Sequence, residues 1–203
     1  MPYQAPPLKE RLIIHPGNHQ VTKDKLVMQT LLGSCVATCL YDDHAHIAGM
    51  NHFMLANKRY SKDGPIAITE VGRYGINAME VLINDLLKLG AAKNRLKAKV
   101  FGGGKIISTV ARDNFLCVGE VNQRFVLEFL DMERIPVTAK DMGGELGRVI
   151  HFHTDTFSVF RRYIAKTQTV QVEKTEHYYW SMEIQSHEEK TGTVILFDKP
   201  ARS

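Results

Sequence analysis

Residue types suited to nucleophilic chemistry lie close together in one window of the chain, residues 30–55. Cys35 directly follows Gly33 and Ser34 at the start of an apolar run, and in such a turn backbone N–H groups can point at a bound carbonyl oxygen. A thiol reacts as its thiolate, for which a nearby imidazole is the usual base. His52 follows a second apolar run, seventeen residues further on. The window fits either a reactive Cys35–His52 pair or a buried cysteine and a hydrogen-bonded histidine, since free cysteine is among the most buried residue types.

Three short apolar runs would have to position this pair. Residues 26–32, 36–41 and 47–55 are predicted strands, with turn-forming residues between them. Antiparallel pairing of the second and third strands would bring His52 across from Cys35. The spacing permits this pairing without demanding it.

The patterns further along the chain complete a mixed fold. They predict, in order, a helix, a strand, a second helix and a hairpin, over residues 74–89, 97–101, 121–132 and 148–162. Gly90 stands where the end of the first helix favours a left-handed residue. On the second helix the predicted buried face includes Met132. The expected fold class is α/β (α+β), a mixed, largely antiparallel β-sheet core flanked by helices in a single domain.

The chain divides into three predicted parts. Residues 1–18 contain four prolines, which favour an arm without a helix or a central strand, and the fold is expected to start near Val21. Residues 19–165 form the predicted domain, and residues 166–203 a C-terminal extension. The extension is polar up to residue 190 and then has a short apolar run over residues 193–197, which fits either an added strand or a partner-binding segment.

Composition narrows the class of protein. The hydrophobic share of 44% and the charged share of 24% are those of an ordinary globular protein. The net charge of +4 is spread along the chain, so we expect no nucleic-acid binding. We see no secretion signal and no membrane-spanning stretch, which predicts a cytoplasmic protein without membrane insertion, whose three cysteines are thiols.

Several stretches of the chain resemble one protein family in the same order. The window that contains the runs LGSCVATCLYDD and GMNHFML closely resembles the chemoreceptor glutamine deamidase family, CheD. In that family a catalytic cysteine follows a Gly-Ser pair and a catalytic histidine lies the same distance downstream, which matches Cys35 and His52. Later stretches also match, namely AKVFGGGKI, VGEVNQRFVLEFL and DMGGELGRVIHFHTDTFSVFRR. The resemblance spans residues 29–162.

The resemblance implies hydrolysis of glutamine side-chain amides to glutamate and ammonia on the cytoplasmic helices of methyl-accepting chemotaxis receptors. Cys35 would attack the amide, and His52 would transfer protons. Gly33, Ser34 and Gly103 would contribute to the oxyanion and substrate site. No metal or other cofactor is expected. Family members pair with a CheC-type phosphatase, which makes that protein a possible partner.

One position departs from the family pattern. The family has a threonine six residues before the cysteine, to orient the histidine, whereas Gln29 stands there and Thr30 comes one place later. Neighbouring side chains of a regular strand face opposite ways, so Thr30 would need a bulge to reach His52. Gln29 could accept the imidazole N–H instead. We favour Thr30 as the third member of the site and keep Gln29 as the alternative.

Other residues of possible chemical interest are assigned to structure or solvent. Two histidine pairs, His44 with His46 and His151 with His153, lack a third metal ligand at suitable spacing and are expected to be solvated. Cys39 and Cys117 are expected in the core. Two other functions stay open, a non-enzymatic chemotaxis regulator and a cysteine hydrolase that acts on peptides or small amides.

Overall fold

The elements around the candidate site are short strands followed by two helices. The computed structural model describes residues 10–55, 70–105 and 118–165, and in the C-terminal region residues 171, 172, 174–176 and 178. The strands in this part of the chain are β1 Arg11–Ile13, β2 His19–Thr22, β3 Val27–Leu32, β4 Val36–Asp42, β5 Ile47–Phe53, β6 Lys97–Gly102, β7 Val137–Met142, β8 Arg148–His153 and β9 Val159–Tyr163. The α-helices with defined bounds are α1 Glu70–Lys88 and α2 Val118–Met132.

The strands form two sheets that share one core. The first has the order β2-β5-β4-β6-β7 and the second the order β1-β3-β8-β9. Both sheets are largely antiparallel, with parallel pairs at β1–β3 and β6–β7. Helix α1 packs on β5 and β2, and α2 packs on β4 and β6. This confirms the predicted mixed α+β class in a single domain.

Burial explains why β4 and β5 appear in the sequence as continuous apolar runs. All residues of both strands are buried, because helices cover one face of their sheet and the same apolar core cluster joins them to β3 and β8. A strand covered on both faces loses the alternation of polar and apolar residues. The two strands are antiparallel, a pairing that the spacing permitted, with His52 opposite Ala37. The candidate site is therefore built on the buried centre of the larger sheet.

The predicted helices and hairpin are confirmed, with one difference. Gly90 has φ +107° shortly beyond the end of α1, as expected of a helix-terminating glycine, and β8 and β9 form the predicted hairpin. Met132 was wrongly placed on the buried face of α2, since it is 57% exposed. It is the last residue of the helix, where the strand layer no longer covers the side chain.

The N-terminal region joins the sheets earlier than Val21. Strand β1 lies inside the segment expected to be an arm and pairs parallel with β3 at the edge of the smaller sheet. An edge position is compatible with the neighbouring prolines, because proline has no N–H to donate and none lies within Arg11–Ile13. Strand β7 had no sequence signal, since its side chains are exposed or half-buried.

The C-terminal region contributes a helical segment. The described residues between 171 and 178 are helical, and Thr175 donates from its hydroxyl to the carbonyl of Gln171 at 3.0 Å, one turn back. Val172 is buried with Val149 and Ile164 in a small cluster separate from the main core. The apolar run 193–197 lies outside the described residues. None of the helices in the described part of the chain is long and apolar enough to cross a membrane.

Two glycines with nearly equal positive φ provide a test of the packing behind β4. A methyl group at Gly102, φ +110°, would meet the carbonyl oxygen of Cys35 at 2.1 Å, whereas at Gly90, φ +107°, the nearest neighbour is an Ile47 methyl at 3.9 Å. Gly90→Ala should therefore lose about 1 kcal/mol of unfolding free energy from backbone strain alone. Gly102→Ala should lose at least about 2 kcal/mol more, because it adds a clash with backbone. Urea unfolding of both variants measures the difference, and equal losses would contradict the close approach.

Candidate active site

The turn between β3 and β4 is fixed from behind by three hydrogen bonds. The three carbonyl groups of residues 33–35 are all acceptors: Asn122 of α2 donates its side-chain N–H to the middle one at 2.8 Å, and the N–H groups of Gly104 and Gly103 donate to the first and third, each at 2.7 Å. Asn122 is itself held, because its side-chain oxygen accepts the N–H of Leu55 at 2.8 Å. The turn therefore has its carbonyls committed on one side.

The N–H groups of the same turn converge on one carboxylate. Oε1 of Glu176 accepts from Gly33 N at 2.8 Å and from Cys35 N at 3.2 Å, and Oε2 accepts from Ser34 N at 2.9 Å. The Ser34 hydroxyl adds a bond to Oε2 at 2.7 Å. Successive N–H groups that point into one concavity form an anion-binding nest. The N–H groups of Gly33 and Ser34, two of the predicted oxyanion-site residues, and that of Cys35 thus face a bound carboxylate.

Gly103 lies behind this turn. Its N–H donates to the Cys35 carbonyl, and a side chain at Gly103 would meet Gln123 and the Gly119 carbonyl of α2. The missing side chains at 102 and 103 thus let β6 approach the turn and the helix. Whether Gly103 also contacts a substrate stays a prediction.

The hydroxyl of Thr30 fixes the tautomer of His52. The Thr30 hydroxyl donates to the carbonyl of Ile14 at 2.7 Å, and its oxygen lies 2.7 Å from Nδ1 of His52. A hydroxyl has one hydrogen, and a carbonyl only accepts, so the imidazole must be the donor in the second bond. Neutral His52 therefore carries its proton on Nδ1. Its Nε2 lone pair is left free, and in the described residues this buried nitrogen has no hydrogen-bond partner.

The expectation that Thr30 would need a bulge was wrong. Strand β3 pairs with β8 in unbroken register, and Thr30 is 2% exposed on the buried face, whereas Gln29 is half-buried on the other. The turn at residues 33–35 lies between Thr30 and Cys35. The alternation of side chains along a strand therefore does not extend from Thr30 to Cys35. Thr30, five residues before the cysteine, contacts His52 without any distortion of β3.

Cys35, His52 and Glu176 meet in one buried cluster. One side-chain ligand atom from each of them lies within 4.8 Å of the others, and all three residues are buried. Such a set could hold a metal ion, but both carboxylate oxygens already accept hydrogen bonds from residues 33–35, and of the three ligand groups only His52 Nε2 has no hydrogen-bond partner in the described residues. The cluster matches an anion held by N–H groups better than it matches a metal centre.

Burial keeps both the thiol and the imidazole of this cluster uncharged, and the carboxylate of Glu176 adds to that effect only at the thiol. Burial raises the pKa of the Cys35 thiol well above its usual value, and the charge of Glu176 and the hydrogen bond to it raise it further. Burial also lowers the pKa of His52 to about 4, against the opposing pull of Glu176. With Glu176 in place, the pair is therefore a neutral thiol and a neutral imidazole.

The remaining candidate residues lie elsewhere. Cys39 is fully buried, and burial raises its pKa, as expected of a core cysteine. His44 is exposed and His46 lies beside it in the turn after β4, and His151 and His153 are half-buried on β8. Cys117 lies outside the described residues.

Two residues of the site, Asn122 and Glu176, were not predicted from the sequence. Asn122 could have been found, because it is a polar residue on the apolar face of α2 and is fully buried. Glu176 gave no signal, since it is one of several acidic residues in a polar stretch. Only the folded position of the C-terminal segment distinguishes it.

A cavity of about 390 Å³ adjoins the other side of His52. It lies between the turn before β2, strand β5 and helix α1, and its polar lining includes Asn18, Asn51 and Asn77. Neither Cys35 nor Glu176 lines it. The cavity therefore contacts His52 but not the thiol.

A thiol, an imidazole oriented by a third group and a nest of backbone N–H groups are the parts that cysteine-dependent acyl-transfer enzymes share. The family model described as CheD chemotactic sensory transduction matches residues 54–163. The chain belongs to the CheD family.

Relatives with the same printed name extend the match over most of the chain. A probable chemoreceptor glutamine deamidase CheD 1 of Geobacter sulfurreducens is 49% identical over 91% of this chain and 92% of its own. A probable chemoreceptor glutamine deamidase CheD 2 of Shewanella oneidensis is 47% identical over 75% of this chain and 76% of its own. A third, from Chromobacterium violaceum, is 39% identical over 91% and 88%.

The buried imidazole predicts a dependence of stability on pH. The pKa of His52 is about 4 in the folded chain and near its ordinary 6.5 when unfolded, so between these values the unfolded state binds more protons. Folding stability should fall as the pH drops below 6.5, by about 2 kcal/mol between pH 7 and pH 5 from this group. Urea unfolding at both pH values measures the loss. His52→Gln should reduce it, and the exposed His44→Gln is the control. The same loss in the wild type and in His52→Gln would contradict the assignment.

Proposed function

We propose that this chain hydrolyses glutamine side-chain amides on methyl-accepting chemoreceptors to glutamate and ammonia. One observation carries the proposal. The N–H groups of residues 33–35, beside Cys35 and His52, bind the side-chain carboxylate of a glutamate, which is the chemical group that deamidation of glutamine produces. The names of the relatives supply the substrate class, since they are termed probable chemoreceptor glutamine deamidases.

The first half of the reaction forms a thioester. With a substrate amide in the nest, Cys35 loses its proton to Nε2 of His52, and the sulfur attacks the amide carbon. The N–H groups of residues 33–35 hold the oxygen as it becomes negative. His52 then passes the proton to the amide nitrogen, and ammonia leaves.

The second half returns the free enzyme. A water molecule gives a proton to His52 as its oxygen attacks the thioester carbon, and the same nest stabilises the second oxyanion. The C–S bond then breaks, and His52 returns its proton to the departing sulfur. Glutamate and the regenerated thiol result. Thr30 acts through His52. Its hydroxyl oxygen accepts a hydrogen bond from Nδ1–H, which keeps the proton on Nδ1 and leaves Nε2 available at each step. None of these steps calls for a metal or another cofactor.

A non-enzymatic regulator that binds a receptor or a CheC-type phosphatase is the alternative. A regulator would not need a free Nε2 beside a thiol, and this favours the enzyme. Binding to such a phosphatase, and action in the cytoplasm on receptor helices, remain parts of the proposal. Incubation with a receptor cytoplasmic fragment, followed by peptide mass spectrometry, tests it. A gain of about one dalton on a glutamine peptide, the difference between an amide and an acid, is the expected result.

The nucleophile can be tested against a matched buried cysteine. Cys35→Ala should abolish the mass gain, because it removes the thiol beside the nest, whereas Cys39→Ala should keep most of it. Both residues are fully buried, so thermal unfolding of the two variants checks that packing loss alone does not explain the difference. Retained turnover in Cys35→Ala would refute the thiol mechanism.

The orienting residue can be tested on two neighbours in one strand. Thr30→Val keeps the shape but removes the acceptor of the Nδ1 proton, so turnover should fall by about 10²- to 10⁴-fold, the usual contribution of positioned acid–base catalysis. Gln29→Ala should be nearly silent, because that side chain faces away. Rates at saturating receptor fragment measure turnover. If Gln29→Ala is the slower variant, the assignment of Thr30 is wrong.

A further inference from the structure

The C-terminal helical segment holds a glutamate where the proposed reaction leaves its product. The carboxylate of Glu176 accepts four hydrogen bonds from residues 33–35, from three N–H groups and one hydroxyl. Glu176 is only 4% exposed, and within the described part of the chain no cation forms a salt bridge with it. Its charge is thus compensated by the neutral dipoles that would stabilise an oxyanion.

The segment also has an apolar anchor one helical turn before the glutamate. Val172 and Glu176 are four residues apart and therefore lie on the same face of a helix. Val172 is buried between Val149 of β8 and Ile164 beyond β9. One side chain of the segment is thus seated in a small apolar site and the other in the nest. The apolar contact of Val172 and the hydrogen bonds of Glu176 together fix the position of the helix. A single exposed glutamate would not do so.

We infer that this segment is an internal product mimic, which fills the substrate side-chain site with Glu176 and must leave before a glutamine on another helix can enter. The inference rests on the proposed function, because the site is interpreted as one for a glutamine side chain. Glutamate and glutamine have the same length and shape, so Glu176 shows the pose of the substrate. The enzyme is then autoinhibited by its own extension.

The mimic acts in two ways. It occupies the nest, so that no amide oxygen can use the N–H groups of residues 33–35. It also places a negative charge beside the sulfur. Burial is the largest cause of the raised pKa of Cys35, and this charge is the second. Departure of the segment would remove both the occupant and the charge. A receptor helix that displaces the segment would thereby activate the thiol that attacks the receptor glutamine.

The sharpest test turns the mimic into a substrate. In Glu176→Gln, Cys35 should attack the new amide and release ammonia, and water should hydrolyse the thioester to restore glutamate. Mass spectrometry of the peptide with residue 176 should then show glutamate in Glu176→Gln and glutamine in Cys35→Ala/Glu176→Gln. Adding active wild-type enzyme to the double variant shows whether one chain can also deamidate residue 176 of another chain. Persistent glutamine in Glu176→Gln, in a preparation that deamidates a receptor fragment, would overturn the inference.

A second measurement does not depend on deamidase activity. In Glu176→Ala, iodoacetamide should alkylate Cys35 roughly tenfold faster or more at pH 7, because the competent state is no longer depleted by the bound segment. Val172→Asp should act in the same direction. Glu80→Ala, an exposed glutamate of α1, is the control, and unchanged labelling of buried Cys39 shows that the fold is intact. An unchanged Cys35 rate in Glu176→Ala would overturn the inference.

The two measurements separate the inference from the proposed function. Faster alkylation in Glu176→Ala, with no deamidation either of the Glu176→Gln variant or of receptor fragments, would support occlusion and refute the deamidase. Faster alkylation with slower receptor deamidation would make Glu176 a catalytic residue and overturn the product mimic. Receptor deamidation that rises roughly tenfold or more in Glu176→Ala is the expected result.

Discussion

The site depends on one constraint, which is the direction of the peptide groups at residues 33–35. The carbonyls of Gly33 and Ser34 are tied to Gly104 and Asn122. The N–H groups in the same two trans peptide planes, those of Ser34 and Cys35, must therefore face the other way. Buried N–H groups need acceptors, because an unpaired one costs free energy comparable to a lost hydrogen bond. The turn is consequently built to hold an anion or a developing oxyanion. The glycines after β6 and the buried asparagine of α2 serve in the fold as the supports of this turn.

Much of this arrangement follows from the sequence because it is local. Continuous apolar runs identified β4 and β5, and their antiparallel pairing brought His52 toward Cys35. Helical periodicity and a left-handed glycine identified α1. The contact between Thr30 and His52 was harder to predict. The alternation of side chains along β3 had been extended through the turn at residues 33–35, where it no longer applies.

The elements that the sequence did not predict depend on contacts between distant residues. Strand β7 has exposed side chains, and its strand character comes from pairing with β6. Glu176 lies far along the chain from the turn it contacts, with sequence separations of 141 to 143, and no periodicity encodes such a meeting. The buried amide of Asn122 is an intermediate case, because its place on an apolar helix face was visible and its partner was not.

The same physical effect, burial, accounts for both the resting state and the reactivity of this site. Burial disfavours a charged thiolate and a charged imidazolium alike, so the enclosed pair stays neutral and unreactive toward solvent. A substrate amide is neutral, and its oxygen needs the N–H groups most as negative charge develops on it. A permanent carboxylate uses the same N–H groups without reacting, because it already carries that charge. In the proposed reaction, the carboxylate of Glu176 would therefore hold the N–H groups of residues 33–35 until a substrate helix competes for them.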